Sequence, residues 1–131
     1  MKQKQYLAEQ ISEKYGKYCT EYSMIKADLK KSAMQGNMWS AREIILEKRL
    51  IDCENMMRKT ESEIHSVLEH ISDYKLYNLL ESRIFMRLTW EEIAVLLERE
   101  PRTVYRLKKK AFEEFEKIAT EKNLTAFLFP G

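Results

Sequence analysis

Residues 89–112 read TWEEIAVLLEREPRTVYRLKKKAF. Thr89 and Glu92 have the spacing of a capping box, in which the threonine caps the amide three residues on and the glutamate reaches back, so a helix starts there. Ile93, Ala94, Leu96 and Leu97 give it an apolar face. Pro101 interrupts, because proline disfavours helical geometry at Glu100 while suiting the first turn of a following helix. The stretch therefore predicts a short helix reaching Leu97, a tight turn, and a second helix opening at Pro101.

In that second helix Val104, Leu107, Ala111, Phe112, Phe115 and Ile118 recur at helical spacing and predict the buried stripe. Arg102, Thr103, Tyr105, Arg106, Lys109 and Lys110 then lie on or near the outward face. Basic, hydrogen-bonding and aromatic side chains are those that meet phosphates and base edges, and an α-helix is the element that fits the major groove. Charge is concentrated here: Arg99 to Lys110 holds six basic residues and one acid, whereas residues 1–73 hold 12 of each. Acids return at Glu113, Glu114 and Glu116.

Upstream, Leu7, Ile11, Tyr15, Tyr18, Tyr22, Ile25 and Leu29 fall in steps of three and four, one long amphipathic stripe. The sequence QGN at 35–37 offers a helix-ending turn. Leu46, Leu50, Cys53, Met57, Thr60, Ile64, Val67 and Ile71 then keep heptad spacing. Two helices of about thirty residues joined by a short turn predict an antiparallel hairpin with arms about 45 Å long. Self-association is expected through it, since two helices alone have little core to bury. Ser72 and Asp73 interrupt the heptads and offer N-caps for a further helix, whose apolar positions run from Leu76 to Leu88. Gly16, inside the first helix, should weaken it by about 1 kcal/mol relative to alanine.

The whole chain of 131 residues, with three glycines, two prolines and abundant helix formers, reads as an all-α protein. Its net charge of +2 says little by itself. Cys19 and Cys53 have neither CxxC spacing nor clustered histidines, which points to reduced thiols in a cytoplasm and to neither zinc nor disulfides. In a hairpin turning at Gly36 the two would be equally far from the turn. No apolar run is long enough for a membrane span, and MKQKQYLAEQ lacks a signal-peptide core. His65 and His70, five apart, lie on different faces, and Glu91 and Glu92 suit a helix N-terminus without any nucleophile nearby. No enzyme, metal or cofactor is predicted.

The run from Leu76 to Phe115 resembles the C-terminal helix-turn-helix of bacterial sigma factors, region 4, carried by TWEEIA, VYRL and KKKAF without a gap. The layout, with a helical hairpin before the module, is similar to small phage-encoded sigma-like regulators, including the ArpU and RinA class of late-gene activators. The resemblance implies a coiled-coil hairpin over 1–72 and a sigma region-4-like helix-turn-helix domain over 73–131. It implies a cytoplasmic, sequence-specific transcription regulator bound to double-stranded DNA, with RNA polymerase as a further partner. Base-reading and phosphate positions fall on Arg102, Thr103, Tyr105 and Arg106, with Lys109 beside them and Thr89 contacting the backbone. Two positions depart from the pattern: Glu98 stands where many such turns have glycine, and Glu100 where they have a serine or threonine N-cap.

The competing reading is an interaction or assembly protein, either a polymerase adaptor or a packaging component like a small terminase subunit. The basic outward face weighs against it. LTAFLFPG, residues 124–131, either tucks Phe127, Leu128 and Phe129 back onto the core or offers them to a partner such as polymerase.

Overall fold

The structure, a computed structural model, describes residues 5–34 and 40–122. The turn expected at 35–37 and the apolar segment at 124–131 lie outside the described residues. Those described form α1 (Leu7–Met34), α2 (Ala41–Leu68), α3 (Tyr74–Ile84), α4 (Trp90–Leu96) and α5 (Pro101–Glu121), with no strand among them.

α1 and α2 run antiparallel along their length. Ser32 donates to Glu43, Arg49 pairs with Glu21, the Cys53 thiol donates to the Tyr18 carbonyl, and the Tyr15 hydroxyl donates to Glu61. The heptad stripe of α2 supplies the seam: Leu46, Cys53, Thr60, Ile64 and Val67 are buried. Thr60 sits in that apolar seam with its hydroxyl satisfied, donating to the Met56 carbonyl one turn back at 2.8 Å. Cys53 lies opposite the segment that carries Cys19; burial first, then the Glu21 carboxylate, pushes its thiol pKa up and makes it a poor nucleophile. α2 begins on an N-cap, Ser40, whose hydroxyl accepts from the Glu43 amide.

Asp73 is the N-cap of α3, accepting from the Lys75 amide at 3.0 Å. α3 stops at Ile84, four residues short of the end of its apolar stripe, and Arg87 in the connection adopts φ 57°. α4 ends in a Schellman motif. The Arg99 amide donates to Ala94 and the Glu98 amide to Val95, with Glu98 at φ 52°, the left-handed position that glycine usually fills.

One hydrophobic cluster runs across the boundary near residue 73. It joins Ala8, Ile11 and Tyr15 of α1 and Ile64, Val67 and Leu68 of α2 to Leu79, Leu80 and Ile84 of α3, Ile93 of α4, and Val104, Phe112 and Phe115 of α5. Phe112 and Phe115, fully buried, each contribute about 1.5–3 kcal/mol by leaving water. The base of the hairpin is thus part of the same core as the three shorter helices. Farther out, the hairpin rests on a much smaller cluster whose buried members are Ile25, Leu46 and Cys53.

Candidate nucleic-acid interface

α5 is 21 residues long, and its surroundings change along its length. Its buried side holds Val104, Ala111, Phe112, Phe115, Ile118 and Ala119. On the opposite side Arg102, Tyr105, Arg106, Lys109 and Lys110 are exposed, and Thr103 is half-buried at the edge. Arg102, Arg106 and Lys109 fall on one line down the helix, because steps of four and three return to the same face. No described carboxylate lies within ion-pair distance of Arg102, Arg106, Lys109 or Lys110. Glu113, exposed on the same line, closes the basic stretch. The positive face therefore covers the first two to three turns, about 12 Å at about 1.5 Å per residue.

The C-terminal half of α5 is tied to α1. Glu116 accepts from the Leu7 amide at 2.8 Å, placing a carboxylate on the positive end of α1, where the helix dipole favours it. Tyr6 packs on Phe112 with ring centroids 5.4 Å apart. Lys108, between the two halves, is turned inward: its ammonium lies 3.7 Å from Glu9, 4.6 Å from the Trp90 ring and 5.6 Å from the Tyr105 ring. The basic run thus splits, with Lys108 holding the helix in place and Lys109 and Lys110 facing solvent.

Trp90 receives a second cation, the Arg83 guanidinium at 4.9 Å from its centroid, while Arg83 Nη1 donates to the Leu88 carbonyl at 2.8 Å. Trp90 also meets Phe112 edge-on. This cluster fixes α4 against α5. Sequence reasoning singled out neither Trp90 nor Lys108 nor Arg83; the one local signal is an aromatic residue directly after a capping threonine.

Thr89 makes both bonds of the capping box. Its hydroxyl accepts from the Glu92 amide at 3.1 Å, and Glu92 accepts from the Thr89 amide at 3.0 Å. The Thr89 amide first, and then the Thr89 hydroxyl, hold the Glu92 carboxyl below its ordinary pKa. Glu100 is the N-cap of α5 and makes no side-chain bond there, so the first amides of α5 lack the protein acceptor that a serine would give them.

His65 stacks on Phe85 at 4.7 Å, and among the described residues no group of three or more His, Cys, Asp or Glu side chains is placed to hold a metal. No described helix is long and apolar enough to cross a membrane. Compared with known proteins, the chain matches no family model, no curated sequence and no solved structure.

Proposed function

We propose that this chain is a sequence-specific DNA-binding transcription regulator of the phage or prophage type. α4, the Glu98 turn and α5 act as a sigma region-4-like helix-turn-helix, and the first turns of α5 enter the major groove of double-stranded DNA. The observation that carries the reading is the unpaired cation line Arg102, Arg106 and Lys109, exposed on a helix whose other side is locked in the core. A cation already paired to a carboxylate gains little from a phosphate; an unpaired one on a fixed helix displaces condensed counterions at small entropic cost.

Within that reading the roles divide by position. Arg102 and Arg106, with planar donor forks, read base edges, guanine first among them. Tyr105 and Thr103 flank that line, and Lys109 and Lys110 neutralise phosphates. Thr89, at the start of α4, hydrogen-bonds the backbone of the duplex.

Fluorescence anisotropy with a labelled duplex tests the proposal. Affinity should fall linearly in log–log form with salt, and Arg102→Ala with Arg106→Ala should weaken it by at least about tenfold, at about 1–3 kcal/mol per lost base contact. Binding that ignores salt, or that survives both substitutions, would sink it. A protein-directed role, as an adaptor on RNA polymerase, is favoured at one place: Val95 and Leu96 on α4 are 79% and 52% exposed.

A further inference from the structure

The outer side of α4 borders a groove that the DNA reading does not use. Glu91, Ala94, Val95, Glu98, Arg99 and Pro101 line an open cavity of about 440 Å³ between the end of α4 and the start of α5. Val95 is 79% exposed, although the opposite side of the same short helix is anchored in the core by the fully buried Ile93. Leu96, next along, is exposed as well. Contiguous exposed apolar side chains beside a groove mark a contact surface.

The charges on its rim define the partner. Glu91 stands four residues before Val95 and Glu98 three after it, so an acid borders the valine on either side. Along the chain the two acids are about two helical turns apart, about 10 Å. Glu100, between the lining residues Arg99 and Pro101, adds a third acid, and its side chain makes no capping bond. None of the three is ion-paired among the described residues, and Arg99 is the one base on the lining. Such a rim repels a phosphate backbone and attracts cations.

We infer that this groove docks a cationic amphipathic segment of another protein, with an apolar side chain over Val95 and a lysine or arginine on either side of it facing Glu91 and Glu98. A helix laid along α4 supplies that order, its basic residues about two turns apart and a leucine-like residue between them. α4 has seven residues, so the contact is smaller than that of stable complexes and the binding is weak. The inference rests on the protein-directed reading of Val95 and Leu96 and uses none of the DNA contacts of α5, so either can fail alone. Glu98 then works in two directions. At φ 52° it occupies a position where glycine is unstrained, and on the rim it meets the partner's cation.

Fluorescence anisotropy tests it, with a labelled leucine–lysine amphipathic helix of about 18 residues titrated with the full chain from about 1 μM to about 1 mM. A leucine–glutamate helix of the same pattern is the comparison. The lysine peptide should bind and the glutamate peptide should not. Val95→Ser should weaken binding at least about tenfold with unchanged helical circular dichroism, since the side chain it removes is exposed. Glu98→Gly should weaken it several-fold while raising the melting temperature, a pair of opposite changes that no loss of folding produces. Equal binding of both peptides through Val95 would overturn the inference and leave the protein-directed reading standing. Absence of binding, or binding indifferent to Val95→Ser, would overturn both. Self-association that Val95→Ser abolishes, with the peptides ignored, would overturn the inference in favour of a second copy of the chain.

Discussion

Arg87 lies against Gly16. Its Nη1 donates to the Ser12 carbonyl at 3.2 Å, and a β-carbon on Gly16 would come within 2.7 Å of its Cζ. The α3–α4 connection is pinned to the first helix of the hairpin through a gap that only glycine leaves. In the sequence Gly16 is a mid-helix weakness; in the structure it is the seat of a guanidinium.

The two residues should therefore couple. In an Arg87→Ala background, Gly16→Ala should stabilise the protein by about 0.5–1 kcal/mol, the ordinary helical preference for alanine. With Arg87 present the added methyl displaces the guanidinium, and that gain should be cancelled. A urea-unfolding double-mutant cycle measures the difference. Equal effects in both backgrounds would show that the contact carries no energy.

Glu98 holds φ 52° at the position after the C-cap of α4. Glu98→Gly should raise stability by about 1 kcal/mol, because only the residue with a β-carbon is strained there. Glu98→Ala, which keeps the β-carbon, should gain nothing, so the contrast in melting temperature isolates the backbone effect from the removal of charge. Under the proposed function, losing the acid beside α5 should also tighten DNA binding modestly.

The capping box predicts a pH dependence of known sign. The Glu92 carboxyl is held below its ordinary value of 4.5, first by the Thr89 amide and then by the Thr89 hydroxyl. A depressed carboxylate contributes stability that is present above its unfolded pKa and lost as the pH falls through the folded one. Glu92→Ala should thus lower the melting temperature at pH 7, and the gap to the unaltered protein should close on the acid side of 4.5. A gap that persists at low pH would place the effect in helix propensity instead.

Lys108 and Lys109 are neighbours in opposite surroundings. Lys108 packs on Trp90 and pairs with Glu9, whereas Lys109 is exposed. Lys108→Ala should lower stability by about 0.5–1 kcal/mol through the lost cation–π contact. Lys109→Ala should leave stability unchanged, lower DNA affinity, and reduce the salt slope by about 1. Parallel melting and anisotropy measurements on the two variants check the division; matching profiles would contradict it.

Those neighbours also show where sequence reading reaches and where it stops. The helical periods place Ile11, Tyr15, Ile25, Ile64 and Val67 in the interior, and all five are buried. The capping box at Thr89, the N-cap at Asp73 and the start of α5 at Pro101 are local signals, set by residues within a turn of one another, and they stand where the sequence puts them. Contacts between distant segments left no such mark. Nothing near Gly16 announces an arginine 71 positions away, and nothing near Lys108 announces Glu9. The same gap hid the continuity of the core across residue 73, because periodicity tells which face of a helix is buried and not what buries it.

Reading of base sequence by the first turns of α5 is the central claim, and selection of bound duplexes from a random DNA library tests it most directly. The unaltered protein should enrich a defined site, with guanines at the positions met by Arg102 and Arg106. The Arg102→Ala, Arg106→Ala variant should lose that preference while retaining its fold. A library that emerges with no enriched site, or the same site enriched by the variant, would contradict the assignment of α5 as the reading helix.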